Sequence, residues 1–339
     1  MVNVRSYISS NFSKAFLTIF LPFFLIISLV YLVKISALTA QIQITFPELL
    51  LLYTYSIPDI IFYTLPISFV AALANVLMRL SIDNELIAIY ALGLKAKEVL
   101  KSMRLLGFLF SLLLLNISFL GMPLSKQFYN SFKENKKSEA KLNIVAGKLG
   151  QKFGEYYIYV KEKKGTEFHD IVIYNRTDKN NEQFFAADKG RLNKKAKATS
   201  LLLEDGYGYT YTDVKLKQAK YKTLEVYEKN KKKDFHFEDI IEFWSAAKKD
   251  TGKMHRLLFY MFVSLIPLLS VYLVAAFTMI NPRYQENRSF LVIFFTSLLF
   301  YIIATILQKW GNFYLIVLAI LFTSILGRWL FHTRVARYF

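Results

Sequence analysis

Six long apolar stretches limit this chain to folds that cross a lipid bilayer. Crossing the hydrocarbon core, which is about 30 Å thick, takes roughly twenty helical residues. Helices suit this environment because they satisfy their own backbone hydrogen bonds. The sequence therefore predicts six transmembrane helices, three before and three after a long polar insertion, at about Ala15–Leu38, Ile57–Leu80, Leu105–Leu124, Leu257–Ile280, Phe290–Leu307 and Phe313–Leu330.

The lysines and arginines of the short connecting segments predict the orientation of these helices. Twelve lie on one side of the predicted spans, against two on the other side, Lys34 and Lys309. Short cytoplasmic segments are enriched in Lys and Arg, whereas long domains cross the membrane regardless of their charge. We therefore expect both termini to be cytoplasmic and the long insertion to be extracytoplasmic.

The insertion carries the pattern of a β-rich domain. Runs rich in aromatic and β-branched residues, such as Phe168–Tyr174, Thr199–Leu203 and Tyr207–Thr212, are separated by the turn signals Lys189-Gly190 and Asp205-Gly206. Short strands at this spacing are typical of a β-sandwich or a related all-β fold.

A short helix is predicted to connect this β domain with the fourth span. Phe237, Ile240, Ile241 and Trp244 recur at the spacing of one helix face. The predicted organisation is then residues 1–124 with the first three spans, 125–253 with the β domain and its linker helix, and 254–339 with the last three spans.

Several classes of function find no support in the sequence. The net charge of +18 would suit nucleic-acid binding, but no basic helix or stacking platform occurs outside the membrane pattern. There is no phosphate-binding glycine loop, the four histidines lack a paired metal-ligand spacing, and there is no cysteine. We therefore expect no catalytic site, metal or cofactor, so that energy for any transport would come from a partner.

Residues 81–93, between the second and third spans, predict a short helix at the membrane surface. Ser81 can cap it, Asp83 and Glu85 suit its N-terminal end, and Gly93 suits its C-terminal stop. About thirteen residues are too few to cross a bilayer. Glu85 is then either a solvated loop charge or a carboxylate that docks on a cytoplasmic protein.

Lys34 lies near the outer end of the first span. A lysine at this depth can extend its ammonium group to the lipid head groups. The same ammonium group could pair with a lipid phosphate. Both interpretations stay open for this residue.

The layout and three local patterns resemble the LptF/LptG permease family, which extracts lipopolysaccharide from the inner membrane of Gram-negative bacteria. The resemblance covers nearly the whole chain. Pro47-Glu48 and Arg79-Leu80-Ser81 look closer to the LptF branch. The patterns are Arg79-Leu80-Ser81 through Asn84-Glu85-Leu86 to Ala91-Leu92-Gly93; Ala187-Asp188-Lys189-Gly190 with Leu203-Glu204-Asp205-Gly206-Tyr207; and His255-Arg256 with Asn281-Pro282-Arg283.

This resemblance implies a permease subunit of an ABC-type lipid exporter in the bacterial inner membrane. The implied partners are a dimeric cytoplasmic ABC ATPase, a second related permease, a periplasmic bridge of jellyroll domains, and lipopolysaccharide. The insertion would be a periplasmic jellyroll-like domain. The ATPase-coupling residues would be Asp83, Glu85, Leu86 and Gly93, and Lys34 would contact lipid phosphates. Inward strand faces would cover acyl chains, with residues such as Tyr157, Tyr159, Ile171 and Ile173 or their neighbours, since the sequence does not fix the strand register.

Two other functions stay open. The first is an ABC permease for a different lipid or for a lipoprotein. The second is a membrane scaffold that transports nothing and uses its β domain to bind a periplasmic partner or peptidoglycan. The scaffold predicts no bound ATPase and no need for Glu85.

Overall fold

The computed structural model shows a helical unit and a separate β unit. It describes residues 4–39, 44–141, 144–153, 156–165, 167–178, 181–195, 198–212, 215–227, 237–245, 250–281 and 286–337. The chain divides into Met1–Asn130 with Phe237–Phe339, and Ser131–His236. The predicted domain boundary after residue 124 falls within a helix that runs from Met122 to Lys141.

The helical unit contains six helices that are long and apolar enough to cross a membrane. The predicted number of spans is therefore confirmed. The third span is a continuous rod in which a π-helical turn, Ile117–Gly121, joins two α-helices. In chain order the helices are α1 Val4–Thr39, α2 Phe46–Ile82, α3 Glu85–Ala91, α4 Ala96–Asn116, α5 Met122–Lys141, α6 Ile240–Ser245, α7 Thr251–Thr278, α8 Ser289–Trp310 and α9 Phe313–Phe331.

Two of the spanning helices form the centre of the bundle. The most apolar windows of α2 and α7 are 78% and 67% buried, whereas the window of α1 is only 11% buried. Small residues allow close packing around α7, because a Cβ atom on Gly107 would lie 2.9 Å from the Pro267 carbonyl oxygen. Ser118 and Ser264 add a buried contact of 3.2 Å between their hydroxyl oxygens.

The predicted linker helix is present as α6, a short helix before α7. Its Trp244 ring donates a hydrogen bond from Nε1 to the Phe119 carbonyl oxygen at 3.0 Å. Phe119 lies in the π-helical turn of the third span. Ile241, in contrast, is 85% exposed, so the predicted apolar face is only partly packed against the bundle.

The described residues of the β unit form an antiparallel sheet of six strands in which sequence neighbours pair. One face is buried around Ile158, Val160, Ile171 and Ile173. The prediction of six spans with an inserted all-β domain is confirmed, and the described strands connect as a meander. Their bounds are β1 Gln151–Phe153, β2 Tyr156–Lys164, β3 Glu167–Asp178, β4 Asn181–Lys195, β5 Ala198–Thr212 and β6 Lys215–Tyr227.

The prediction of turns at Lys189-Gly190 and Asp205-Gly206 is wrong, because both pairs lie inside long strands, β4 and β5. Thr199–Leu203 and Tyr207–Thr212 are accordingly parts of one strand. Asp205 has a φ of 52°, the left-handed conformation that makes Asp-Gly a turn signal. Inside a paired strand the same conformation bends the chain without reversing it.

A similar bend in β3 keeps both halves of that strand on the same buried face of the sheet. Asp170 on β3 also has a φ of 52°. Phe168 and Ile171 are both almost fully buried although they are three residues apart. A regular strand would place them on opposite faces. The left-handed residue between them therefore restores a common buried face.

Candidate functional site

The short helix α3 connects the ends of α2 and α4 at the end of the bundle that carries both termini. It begins after Asn84, which has a φ of 60°, and it is followed by Gly93 with a φ of 83°. The Gly93 amide donates to the Tyr90 carbonyl oxygen at 2.9 Å. Gly93 therefore ends the helix as predicted, since glycine adopts this conformation without a steric penalty.

One face of α3 is anchored and the other is exposed. Leu86 and Ile89 are buried among the spanning helices, with exposed fractions of 3% and 7%. Ile87 and Leu92 are exposed on the outside. The burial of Leu86 places it against the bundle, so its side chain holds α3 in position, while Ile87 and Leu92 form an exposed apolar surface.

The Glu85 carboxylate is held by α1. The Tyr7 hydroxyl donates a hydrogen bond to Glu85 Oε2 at 2.8 Å. Both side chains border a cavity of about 370 Å³, which is also lined by Lys14 and Arg79. No local sequence pattern identifies Tyr7 as a partner of Glu85, since the two residues are 78 positions apart in the chain.

Asp83 belongs to the same region but has a different partner. Its carboxylate oxygen lies 3.3 Å from Arg79 Nε, one helical turn earlier. Both side chains are exposed, and exposed ion pairs of this kind contribute little to stability. The Asp83 side chain is therefore accessible to solvent, whereas Glu85 is only partly exposed.

Ser81 does not cap α3, so that prediction is wrong. It is a buried residue of the last turn of α2. Its Oγ lies 2.8 Å from the Thr278 carbonyl oxygen and accepts a hydrogen bond from the Ile280 amide at 3.2 Å. Ser81 thus ties the end of α2 to the end of α7, just before Asn281; Pro282 and Arg283 of the predicted pattern lie outside the described residues.

We expect Ser81→Ala to destabilise the helical unit by about 1 kcal/mol, because the Ile280 amide loses its acceptor. Thermal unfolding of the detergent-solubilised protein measures this loss. Ser56→Ala is the matched control, since among the described residues the buried Ser56 hydroxyl bonds only to the Leu52 carbonyl oxygen of its own helix. Equal shifts of the two unfolding temperatures would contradict the tie between α2 and α7.

Lys34 is exposed in the last third of α1. Its Nζ atom lies 5.6 Å from the centre of the Tyr31 ring, within the range of a cation–π contact. Because α1 is the least covered of the spans, Lys34 lies on a surface that the chain's own helices leave open.

The four residues named for the acyl-chain cover lie on opposite faces of the sheet, and their contact with lipid stays a prediction. Ile171 and Ile173 are on the buried face of the sheet, with exposed fractions of 1% and 0%. Tyr157 and Tyr159 pair with Tyr174 and Val172 on the opposite face. The side-chain alternation of each strand is predictable, but the face that points inward depends on the register of pairing.

Tyr221 closes the bend that Asp205 and Gly206 introduce into the sheet. Its hydroxyl donates to the Ala186 carbonyl oxygen at 2.9 Å. Burial, with a smaller contribution from the charge of Asp188, raises the pKa of Tyr221 to about 12. The hydroxyl therefore stays protonated, and acts as a donor, at neutral pH.

No group of three or more histidine, aspartate and glutamate side chains lies together as a metal site in the ranges that the structure describes.

None of the curated protein sequences compared with the chain matches it significantly. The family model described as lipopolysaccharide export system permease LptF/LptG matches residues 6–336, which include all six spanning helices and the β unit. This family match and the six apolar helices together indicate a multi-pass protein of the inner membrane. The chain belongs to the LptF/LptG family of lipopolysaccharide export permeases.

Proposed function

We propose that this chain is the permease subunit of an ABC-type exporter that extracts lipopolysaccharide from the inner membrane. A separate cytoplasmic ATPase dimer would drive it, a second related permease would complete the membrane part, and a periplasmic jellyroll bridge would receive the lipid. The observation that carries this proposal is α3, which is anchored by one face, presents apolar side chains on the other, and holds Glu85 beside them.

In this proposal both termini and α3 face the cytoplasm, and the β domain of residues 125–253 is periplasmic. The excess of Lys and Arg at the end of the bundle that carries α3 supports the orientation. The exposed Asp83, Ile87 and Leu92 and the partly exposed Glu85 would then contact the ATPase. Gly93 fixes where α3 ends, and Leu86 transmits its position to the bundle.

Movement of α3 would reach the membrane through two contacts. The Tyr7–Glu85 hydrogen bond connects it to α1. The Ser81 tie connects the adjoining end of α2 to α7, and these two helices are the central ones of the bundle. A displacement imposed by the ATPase would therefore act on α1, α2 and α7 together.

The open side of α1 is the proposed path for lipid and the proposed face toward the second permease. Only 11% of its apolar window is buried, the lowest share among the six spans. Lys34 lies on this side near the outer end of α1, where its ammonium group would pair with a lipid phosphate. Closing the space between the two permeases would then push the lipid out of the membrane.

The buried face of the sheet is the proposed cover for acyl chains. It is lined by aliphatic side chains, including Ile171 and Ile173, whereas Tyr157 lies on the other face beside Tyr174. Covering an acyl chain removes apolar surface from water, so an aliphatic face suits the chain better than a face that carries tyrosine hydroxyls. We therefore assign Ile171 and Ile173 to the lipid path and place Tyr157 and Tyr159 outside it.

Photo-crosslinking from neighbouring positions tests this assignment. Phe185 packs against the buried face opposite Ile173, and the next residue, Phe184, is 41% exposed on the other face. We expect benzoylphenylalanine at position 185 to crosslink to lipopolysaccharide in cells, and the same group at position 184 to give little product. Stronger crosslinking from position 184 would place the lipid on the outer face.

Affinity purification from native membranes in mild detergent tests the proposed function as a whole. We expect an ABC ATPase, a second six-span permease and lipopolysaccharide to copurify. A different lipid or a lipoprotein in place of lipopolysaccharide would identify another ABC permease. Recovery without an ATPase would contradict the exporter and favour the scaffold.

A further inference from the structure

A second cavity, lined by cationic and apolar side chains, lies at the end of the bundle that carries both termini, away from α3. It encloses about 720 Å³ between the first turns of α1, the start of α4, the later part of α7 and the end of α9. Four cationic side chains line it, Arg5, Lys101, Arg104 and Arg328. None of the lining residues that the structure describes is acidic.

Two of the guanidinium groups are placed by one aromatic ring. The Cζ atoms of Arg104 and Arg328 lie 5.6 and 6.0 Å from the centre of the Tyr272 ring. Arg104 Nε is buried and has no hydrogen-bond partner. A buried donor without an acceptor is costly, and neighbouring like charges repel each other. The cavity is therefore suited to an anion that accepts several hydrogen bonds, and arginine forks match phosphate in this way.

The rest of the lining indicates an amphiphile. Leucines border the cavity beside the cations, and Leu105, one residue after Arg104, is 60% exposed on α4. An acyl chain could follow this apolar surface while its phosphate stays among the arginines. A free phosphate would use the cations and leave the leucines without a role.

We propose that this cavity binds the phosphate head group of an anionic phospholipid from the leaflet at this end of the bundle. Basic pockets between transmembrane helices are suited to such head groups. The site is separate from Lys34, because Arg5 and Lys34 lie roughly 40 Å apart along α1. It therefore holds a resident membrane lipid, and the proposal stands whether or not the chain exports lipopolysaccharide.

Native mass spectrometry of the full chain in detergent tests the proposal. Phosphatidylglycerol and phosphatidylcholine with the same acyl chains are the probes. We expect wild-type protein to bind phosphatidylglycerol at least about tenfold more tightly. We expect Arg104→Gln/Arg328→Gln to weaken phosphatidylglycerol binding by about tenfold or more.

The control variant Lys97→Gln/Arg337→Gln removes the same charge from exposed residues at the same end of the bundle, outside the cavity lining. We expect it to bind phosphatidylglycerol within about twofold of wild type, as non-specific attraction at exposed sites is weak. Equal binding of the two lipids by wild-type protein would overturn the proposal without reference to any variant. A second result would also overturn the proposal. If the protein bound both lipids equally and millimolar inorganic phosphate displaced them, the cavity would be a site for a soluble anion.

Discussion

Glu85→Lys is expected to reduce ATPase copurification to less than about one tenth of the wild-type amount. Glu85 lies beside the exposed apolar face of α3, and Tyr7 holds its carboxylate at 2.8 Å. A lysine removes the acceptor of that hydrogen bond and reverses a charge at the proposed contact. Truncating one partner of a desolvated charge pair costs about 2–5 kcal/mol, which is sufficient for a loss of this size. The measurement is the molar ratio of ATPase to permease after affinity purification.

Glu98→Lys is the matched control for that variant. Glu98 is an exposed acidic residue in the first turn of α4, at the same end of the bundle. We expect its reversal to leave the ATPase ratio near the wild-type value. A Glu85→Lys protein with normal ATPase content would contradict a coupling role for Glu85. A wild-type unfolding temperature for both variants would establish that the loss is one of binding.

Gly206→Ala is expected to destabilise the β unit by about 2–5 kcal/mol. A Cβ atom at this position would clash with the Ala186 carbonyl oxygen and lie 2.5 Å from the Tyr221 hydroxyl oxygen. These two groups are hydrogen-bonded to each other. The methyl group would therefore displace Tyr221, which combines overpacking with the loss of a part-buried hydrogen bond.

Limited proteolysis of the full chain during a urea titration measures this loss of stability. The quantity followed is the urea concentration at which the β unit becomes susceptible to cleavage. Gly208→Ala is the control, because it lies on the same strand and its nearest contact would be the Phe185 ring at 3.2 Å. A side-chain ring can give way, whereas the backbone at Ala186 cannot. A Gly206→Ala protein that resists proteolysis as well as Gly208→Ala would contradict the close approach at Tyr221.

The spans and the β insertion could be predicted because each depends on local properties of the chain. Twenty apolar residues in sequence determine a membrane helix with little reference to the remainder of the protein. Runs of aromatic and β-branched residues likewise indicated the strands. The family followed from the same layout together with the segment from Arg79 to Gly93.

Asp205-Gly206 shows where local properties are insufficient. The pair favours a left-handed backbone, and Asp205 adopts one. Whether that conformation reverses the chain or bends a continuous strand depends on the neighbouring strands. Here β4 and β6 pair with β5 on both sides of the bend. The long-range pairing decided the outcome, and with it which of Tyr157 and Ile171 faces inward.

The sequence by itself determined the number of spans, the place of the β domain and the short helix that carries Glu85. Only the tertiary structure decided which residues hold these parts together. Tyr7 meets Glu85, Ser81 meets the end of α7, and four cations from three helices share a cavity. These contacts join residues that are far apart in the chain, and packing and hydrogen bonding between distant residues have no local signal in the sequence.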